Sequence, residues 1–268
     1  MVNKSNATAT FDFTGKTVVI TGAASGIGMQ CARDFAAAGA NVAVNDINQV
    51  ALNDLAAEIA GLSLAGDVTS EAAVQDLTNT VVETWGGVDF LINAAGIADE
   101  MKPTFEQDIS AWQRVLDVSL RGSYLMAREC GQVMAKSGSG SVVNFSSIAG
   151  IIGLPGRNAY SAAKAGLAIM TRGLASEWGG LGIRVNAIAP GYIDTPMVEG
   201  LMSRGKIGTE PIFKRTPLGR FGRPAEISAA VQFLCSDSAS FITGVTLPVD
   251  GGYSSFGGNA LPEAGSLA

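Results

Sequence analysis

Short apolar runs alternate with longer segments of helical periodicity along nearly the whole sequence. This alternation favours an α/β fold, because each right-handed crossover returns the chain to a parallel sheet and leaves a helix on one of its faces. We therefore predict a single-domain, doubly wound parallel sheet of about seven strands with helices on both faces. The expected strands are residues 17–21, 41–45, 62–65, 90–93, 141–146, 184–189 and 244–249, of which 62–65 has the weakest pattern.

Helical periodicity fills the gaps between these strands. We predict one domain over residues 14–253, a flexible leader over 1–13 and a C-terminal tail over 254–268, with neither leader nor tail contributing to the core. Residues 190–224 lack clear periodicity and are longer than a plain connection, so we expect them to form a lid over a substrate site. The expected helices are residues 26–38, 48–60, 70–85, 108–136, 159–179 and 224–235.

The composition limits which partners the chain is expected to have. With 47% hydrophobic residues, a chain of 268 residues can bury one large core. The net charge of -6 and the lack of any Lys/Arg cluster argue against nucleic acid or an anionic membrane, so a small molecule is the expected partner. No stretch has the pattern of a signal peptide or a bilayer-spanning helix, and Cys31, Cys130 and Cys235 are scattered. We therefore expect a protein of the reducing cytoplasm.

Histidine is absent from the sequence. This absence excludes Ser-His-Asp and Cys-His catalysis and every His-ligated metal site. With only three scattered cysteines, a transition-metal site would have to be built from carboxylates, so no metal is expected. General-base chemistry must then come from tyrosine, lysine, aspartate or glutamate.

Tyr160 and Lys164 are four residues apart in a predicted helix, so their side chains lie on the same face. The lysine charge favours the phenolate, which would let a phenol with an ordinary pKa of about 10 exchange protons nearer neutral pH. The pair is therefore a candidate general acid/base. The same spacing also occurs on solvated helix faces, and the neighbouring motifs decide between the two interpretations.

A glycine-rich segment, TGAASGIG at residues 21–28, joins the first predicted strand to the first predicted helix. Gly22 would allow a tight turn, Gly26 a close approach of the backbone to a pyrophosphate, and Gly28 close packing of helix on strand. The phosphates would lie at the helix N-terminus, where backbone N–H groups are free. This segment predicts the dinucleotide site of a Rossmann-type fold, with Gly22, Ser25, Gly26, Ile27 and Gly28 as cofactor contacts.

Asp46 ends the second predicted strand, where a carboxylate can accept hydrogen bonds from both hydroxyls of an adenosine ribose. The same carboxylate would repel the 2′-phosphate of NADP, and neither residues 23–25 nor Ile47 supplies a compensating positive charge. NAD is therefore the expected cofactor. At the ends of the next two strands we expect further cofactor contacts from Asp67, Val68, Asn93, Ala94, Ala95 and Gly96.

Four motifs occur at or near the ends of predicted strands: TGAASGIG, NAAG at residues 93–96, Ser147 followed by YSAAK at 160–164, and PGYIDT at 190–195. Together they resemble the short-chain dehydrogenase/reductase family over about residues 14–253. The resemblance implies that Ser147 orients the substrate oxygen and that Tyr160 transfers a proton. It also implies that Lys164 lowers the pKa of the tyrosine and holds the nicotinamide ribose.

The resemblance has further implications for the cofactor and the assembly. It implies that Pro190, Gly191, Ile193 and Thr195 line the nicotinamide, with Ile193 and Thr195 bonded to its carboxamide. Hydride would pass directly between the nicotinamide and the carbonyl carbon, so no metal is needed. Family members usually form tetramers through the two long helices around the fifth strand, so a homotetramer is expected.

Ser119 departs from the family pattern, which usually has asparagine at this position. The chain reads Val118-Ser119-Leu120. A serine could keep a water-mediated link to Lys164, because its hydroxyl both donates and accepts. Alternatively it only bonds the carbonyl of the preceding helical turn. We treat Ser119 as a candidate catalytic residue.

The expected function is an NAD-dependent oxidoreductase that interconverts a secondary alcohol and a ketone, with a polyol or sugar alcohol as the substrate class. A 3-oxoacyl thioester reductase shares much of the pattern, but such enzymes usually use NADPH, which Asp46 disfavours. A non-catalytic NAD-binding sensor is a third hypothesis, and the complete set of Ser147, Tyr160 and Lys164 argues against it. Arg157 is either a contact for an anionic substrate group or a solvated residue at a helix start.

Overall fold

Seven parallel strands form the centre of the fold in the computed structural model, which describes residues 11–258. They are β1 (Thr17–Thr21), β2 (Asn41–Asp46), β3 (Leu62–Ala65), β4 (Phe90–Asn93), β5 (Gly140–Phe145), β6 (Ile183–Pro190) and β7 (Thr246–Val249). Their order in the sheet is β3-β2-β1-β4-β5-β6-β7, so the direction of winding reverses between β1 and β4. Open α/β sheets bind ligands at such a reversal, beyond the carboxyl ends of the strands.

Helices cover both faces of the sheet. They are α1 (Gly26–Ala37), α2 (Gln49–Glu58), α3 (Glu71–Trp85), α4 (Ile109–Leu116), α5 (Ser123–Ser137), α6 (Asn158–Trp178), α7 (Pro196–Ser203), α8 (Thr209–Arg215) and α9 (Pro224–Cys235). Helices α1, α2 and α9 share a hydrophobic cluster with one face, and α3, α5 and α6 share a cluster with the other. Among residues 11–258, no helix combines the length and the apolar content needed to cross a membrane.

The central strands show why the chain forms a two-sided sheet. Every residue of β1 and of β4 is buried, as expected for parallel strands that are covered on both faces. Along β1, Val18 and Ile20 join the first cluster and Val19 joins the second, because successive side chains point to opposite faces. The prediction of a single-domain, doubly wound parallel sheet of about seven strands is confirmed.

Two helical regions differ from the sequence-based prediction. The helix expected over 108–136 is divided by a π-helical segment, Asp117–Gly122, between α4 and α5. Residues 190–224, which lack clear periodicity and for which no helix was predicted, contain the short helices α7 and α8. These helices are too short to show a clear period, and a single widened turn leaves the apolar pattern of a long helix almost unchanged.

The expectation that residues 1–13 stay outside the core is wrong for Phe13. Its side chain is only 4% exposed. The ring stacks on Phe35 at a centroid distance of 4.9 Å and meets the edge of Phe90 at 5.2 Å. Phe11 stacks on Phe13 in turn, at a centroid distance of 6.0 Å, so aromatic rings anchor this end of the leader against α1 and β4. Leader residues 1–10 and the tail from residue 259 onward lie outside the described residues.

Three buried polar side chains link the middle of the sheet to α6. Asn144 in β5 accepts a hydrogen bond from Asn93 Nδ2 at 2.9 Å and donates to Thr171 Oγ1 at 3.0 Å. Asn93 Nδ2 also donates to the carbonyl of Ser123 in α5 at 3.0 Å, and Thr171 Oγ1 donates to the carbonyl of Leu167 at 2.8 Å. Because an unpaired buried polar group is costly, this network fixes α5 and α6 relative to β4 and β5.

Thr171→Val is expected to lower the free energy of unfolding by about 1–3 kcal/mol more than Thr78→Val, the range for leaving a buried donor unsatisfied. Both threonines are buried, and each donates to the carbonyl four residues earlier in its helix. Of the two, Thr171 alone accepts a hydrogen bond from an asparagine amide. Urea denaturation of the two variants measures the difference, and equal losses of stability would contradict the prediction.

Candidate active site

One cleft of about 310 Å³ opens beyond the carboxyl ends of the first six strands, β1 to β6. The loops that follow these strands form its walls, as the reversal of strand order predicts. The predicted site residues found in its lining are Gly22, Ser25, Gly26, Ile27, Gly28, Asp46, Asp67, Val68, Ala94, Ala95, Gly96, Ser147, Tyr160, Lys164, Pro190, Gly191, Ile193 and Thr195.

The glycine-rich loop has no room for side chains at two of its glycines. A Cβ atom on Gly22 would lie 2.8 Å from the Cα atom of Ala95, and a Cβ atom on Gly28 would lie 2.3 Å from the carbonyl oxygen of Gly22. Ser25 is the N-cap of α1 without a capping hydrogen bond from its side chain, and the first turn of α1 has no acidic residue. The first turn of α1 therefore presents N–H groups with no carboxylate of its own to compete for them, an arrangement that suits a phosphate.

Asp46 turns its carboxylate toward the glycine-rich loop. Its Oδ2 atom accepts the N–H of Ala24 at 3.2 Å, and its Oδ1 atom accepts the N–H of Asn48 at 3.0 Å. These two bonds orient the carboxylate but leave acceptor capacity, because a carboxylate offers about four lone-pair sites. The next residue, Ile47, is 71% exposed and uncharged.

Asn93 does not reach the cleft, although we expected it to contact the cofactor. Its amide nitrogen donates to the carbonyl of Ser123 in α5 and to the side-chain oxygen of Asn144 in β5. The backbone after it turns into the cleft, so Ala94, Ala95 and Gly96 form part of the lining. The position of Asn93 at a strand end was readable from the sequence, but the direction of its side chain depends on the neighbouring strand.

Ser147, Tyr160 and Lys164 meet on one wall of the cleft. Ser147 follows β5, and its hydroxyl oxygen accepts the N–H of Ala149 at 3.1 Å. Tyr160 and Lys164 lie one turn apart on α6, and the Lys164 Nζ atom is 5.5 Å from the centre of the Tyr160 ring. The same Nζ atom donates to the carbonyl of Phe145 at 2.7 Å. A hydroxyl, a phenol and an ammonium are thus available to one bound molecule.

Burial shifts the pKa values of Tyr160 and Lys164 on this wall. The pKa of Tyr160 is raised, mainly because burial removes water from the phenol, and the charge of Asp99 raises it further. The charge of Arg157 and the hydrogen bond with Ser147 lower it, but by less. Loss of water also lowers the pKa of Lys164 to about 8. We expected the lysine to lower the pKa of the phenol toward neutrality, but in the protein alone the desolvation of Tyr160 outweighs the charge of Arg157 and the hydrogen bond of Ser147. At neutral pH the phenol is therefore a proton donor beside a largely protonated lysine.

Ser119 lies in the π-helical segment and is fully buried behind the cleft wall. Its hydroxyl oxygen accepts the N–H of Ile97 at 3.3 Å, in the loop after β4. A Cβ atom on Gly96 would lie 3.3 Å from Ser119 Oγ and 3.4 Å from Lys164 Nζ. The serine and the lysine therefore border the same small space, although Ser119 is not in the cleft lining.

Arg157 is not solvated, and its charge is already paired. Its Nε atom is 2.7 Å from Asp99 Oδ1, and both side chains are only 8% exposed. Asp99 follows β4 and Arg157 precedes α6, so the pair forms only when the sheet brings these two segments together. No sequence motif marked Asp99, and it is the functional candidate that sequence reasoning missed.

Helix α7 closes one side of the cleft. Thr195 caps it, because its Oγ1 atom accepts the N–H of Val198 at 3.4 Å and donates to the carbonyl of Ile193 at 3.2 Å. The apolar side chains of Val198 and Leu201 line the cleft. This position suits the lid expected of residues 190–224, and movement of the lid stays a prediction.

The cleft fits an extended nicotinamide dinucleotide. The glycine-rich loop suits a pyrophosphate at the sheet centre, and Asp46 on β2 suits an adenosine ribose on one side. On the other side, Lys164 and Thr195 border the place where the nicotinamide half would bind, next to Tyr160. The close packing at Gly22 and Gly28 supports this fit, since it holds the loop backbone tightly against the loop after β4 and the start of α1, where helix N–H groups would meet the phosphates.

A family model described as enoyl-(acyl carrier protein) reductase matches residues 22–254. The chain is 43% identical to a cis-4-hydroxycyclohexanecarboxylate dehydrogenase from Sinomonas cyclohexanicum, over 90% of this chain and 97% of that relative. It is 39% identical to a D-threitol dehydrogenase from Mycolicibacterium smegmatis, over 91% of this chain and 95% of that relative.

The fold comparison agrees with these sequence matches. The crystal structure of a short-chain type dehydrogenase/reductase from Mycobacterium marinum superposes with a TM-score of 0.84 at 33% identity, covering 91% of this chain and 97% of that one. The matches extend over the glycine-rich loop, the strand ends and the Tyr160–Lys164 turn. This chain therefore belongs to the short-chain dehydrogenase/reductase family, whose dehydrogenases are oxidoreductases that use nicotinamide cofactors.

Proposed function

We propose that this protein is an NAD-dependent oxidoreductase that interconverts a secondary alcohol and a ketone, with Tyr160 as the acid/base. One observation carries the proposal: the Tyr160 phenol and the Ser147 hydroxyl lie on the wall of a cleft whose floor is the glycine-rich loop. A positioned phenol can exchange a proton with the substrate oxygen. Bound NAD supplies the acceptor for the hydride at its nicotinamide ring.

Ser147, Tyr160 and Lys164 have different roles in the proton transfer. When a ketone is reduced, Ser147 donates a hydrogen bond to the carbonyl oxygen and Tyr160 gives it a proton, which the raised pKa of the phenol keeps available. When an alcohol is oxidised, the Tyr160 phenolate accepts the proton. Lys164 is held by the carbonyl of Phe145, so its ammonium stays beside the phenol and the expected ribose site.

Asp46 supports NAD rather than NADP. Its carboxylate is held in the cleft by the N–H groups of Ala24 and Asn48. A 2′-phosphate on the adenosine ribose would approach this fixed negative charge, and neither Ala24 nor Ile47 offers a cation. The repulsion therefore favours the ribose with free hydroxyls.

The substrate class has two candidates. A polyol or sugar alcohol is the class expected from the sequence, and the relative from Mycolicibacterium smegmatis is named for D-threitol. The apolar side chains of Ile148, Leu154 and Leu201 in the cleft favour a second class, an alicyclic secondary alcohol. The relative from Sinomonas cyclohexanicum is named for a substituted cyclohexane. Because Arg157 is already paired with Asp99, an anionic substituent would gain little from it.

Two alternatives predict different cofactor behaviour. The matching family model is described as enoyl-(acyl carrier protein) reductase, a description that names an acyl thioester. A 3-oxoacyl thioester reductase would act on a ketone of the same substrate class and would consume NADPH. Asp46 counts against that cofactor. A non-catalytic NAD-binding sensor would bind NADH and turn over no alcohol. A cofactor titration followed by a substrate panel separates the three hypotheses.

We also propose a cytoplasmic homotetramer with its catalytic domain over residues 14–253. The outer faces of α4, α5 and α6 form a shallow groove in which Tyr124 is 44% and Ile169 is 62% exposed. Apolar side chains exposed on neighbouring helices favour contact with another copy of the chain. The three cysteines are buried and free, which suits a reducing compartment.

Tyr160→Phe is expected to bind NADH with unchanged affinity and to lose nearly all turnover, because only the proton donor is removed. Nicotinamide fluorescence measures binding, and a panel of sugar alcohols, alicyclic secondary alcohols and acyl thioesters measures turnover. Tyr124→Phe is the matched control, since it makes the same chemical change at a tyrosine outside the cleft lining. Turnover within about tenfold of the unmodified protein would exclude Tyr160 as the acid/base.

The double variant Asp46→Ala with Ile47→Arg is expected to shift cofactor preference toward NADP. The change removes the repelling carboxylate and adds a cation for the 2′-phosphate. The ratio of kcat/KM for the two cofactors measures the shift. Asp54→Ala, on the exposed side of α2, should leave the ratio unchanged. An unmodified protein that already uses NADP better than NAD would disprove this role of Asp46.

Ser119→Ala is expected to lower kcat by about tenfold, at the low end for lost assistance to proton transfer, with NAD affinity unchanged. Ser119→Asn should remain active, because an amide also donates and accepts. Ser123→Ala is the control, since this buried serine only donates to the carbonyl of Ser119 one turn earlier. An alanine variant at position 119 with unaltered kcat between pH 6 and 10 would remove Ser119 from the mechanism.

A further inference from the structure

The helix that carries Tyr160 begins at a residue whose side chain cannot cap it. Arg157 is the N-cap of α6, and a guanidinium has donors but no acceptor. Tyr160 is the third residue of the helix, so its N–H is one of the donors that a helix leaves without a partner. Asp99, from the loop after β4, accepts this N–H with its Oδ2 atom at 3.3 Å. A carboxylate from another element thus caps the turn that carries the phenol.

The other oxygen of Asp99 neutralises Arg157. Its Oδ1 atom is 2.7 Å from Arg157 Nε, and both side chains are almost completely buried. The guanidinium carbon of Arg157 lies 4.4 Å from the centre of the Tyr160 ring, which is within the distance for attraction between a cation and an aromatic face. One buried ion pair therefore contacts Tyr160 twice, through its anion at the backbone and through its cation at the ring.

We propose that Asp99 and Arg157 act as one positioning unit for Tyr160, in which Arg157 covers the ring and Asp99 caps its helical turn and cancels the arginine charge. The pair determines where the phenol sits and how readily it gives up its proton. Neither side chain needs to touch the substrate for this role. The inference rests on the proposed function in one respect, that Tyr160 is the acid/base.

Arg157 and Asp99 carry opposite charges, so they have opposite effects on the pKa of Tyr160. Arg157 favours the phenolate and lowers the pKa of Tyr160, whereas Asp99 disfavours the phenolate and raises it. With both present, the two effects oppose each other. The charged or titratable groups on or beside this part of the cleft are Arg157 at the N-cap of α6, Lys164 on α6, Asp99 after β4, Arg114 on α4 and Tyr192 after β6.

Replacing Asp99 and replacing Arg157 should therefore shift the pKa of Tyr160 in opposite directions. Asp99→Asn leaves the cation, so the pKa falls and the rising limb of the pH profile for alcohol oxidation moves to lower pH. Arg157→Gln leaves the carboxylate, so the limb moves to higher pH. Each shift should be about one pH unit, the low end for a charge within a few ångströms. The double variant should return the limb close to its original position, because both charges are gone.

The first experiment measures kcat/KM for an alcohol at saturating NAD from pH 6 to 11 in the unmodified protein, the two single variants and the double variant. Arg33→Gln is the control, since it breaks an exposed ion pair with Glu58 far from the cleft, and it should leave the limb in place. If the pair only stabilised the fold, both single variants would lose activity, but the rising limb would lie at the same pH in the two. Shifts in the same direction, or no shift in either variant, would overturn the proposal.

A second measurement does not depend on turnover. The absorbance of tyrosinate is titrated in each protein without cofactor and compared with the same protein carrying Tyr160→Phe, so that the difference reports Tyr160 alone. Tyr160 should ionise earliest in Asp99→Asn, later in the unmodified protein and latest in Arg157→Gln. If this order appears but no alcohol is oxidised, the proposed function fails and the positioning unit stands. Any other order overturns the positioning unit.

Arg157→Lys keeps the proposal testable if Arg157→Gln does not fold. The lysine retains the positive charge but not the flat guanidinium over the ring. Its pH limb should therefore stay near that of the unmodified protein while kcat falls, and Asp99→Asn must still move the limb to lower pH. A limb displaced to higher pH in Arg157→Lys, or an unmoved limb in Asp99→Asn, would contradict the assigned roles.

Discussion

Burial of β4 and β5 on both faces removes the water that their polar side chains would otherwise bond. The amide nitrogen of Asn93 and both polar atoms of Asn144 therefore need partners inside the protein, and they find them in each other, in Thr171 of α6 and in the carbonyl of Ser123 of α5. This requirement ties both helices to the centre of the sheet. Since α6 also carries Tyr160 and Lys164, the geometry of the candidate site depends on a network that never touches the cleft.

The same loss of water explains the electrostatics of the site. It makes the phenol of Tyr160 harder to ionise and the ammonium of Lys164 easier to deprotonate. A single unpaired charge beside these groups would have a large effect, because the surrounding medium screens it weakly. The ion pair of Asp99 and Arg157 supplies a cation to the ring together with its counter-charge, so the site gains a rigid contact without a strong net field.

Much of the fold was predictable because it leaves periodic signals. Alternating apolar runs and helical segments predicted the parallel sheet, since buried parallel strands are apolar along their whole length. The features that the periodicity missed are local or aperiodic: the single ring of Phe13, the widened turn at Asp117–Gly122 and the short helices α7 and α8. Phe13 packs on α1 and β4, and Ser119 in the widened turn bonds Ile97, and a pattern along the chain does not contain such contacts. The helices α7 and α8 are too short to leave a clear period.

The sequence by itself determined the fold class, the family and the residue types that can do chemistry, because the glycine spacing, the Tyr160–Lys164 turn and the lack of histidine are properties of the chain alone. Only the tertiary structure decided how these groups are oriented and charged. It turned Asn93 away from the cleft, set Ser119 against Ile97, and joined Asp99 to Arg157 beside Tyr160. The physical reason is that burial and pairing depend on which strands and helices become neighbours, and that is settled when the chain folds.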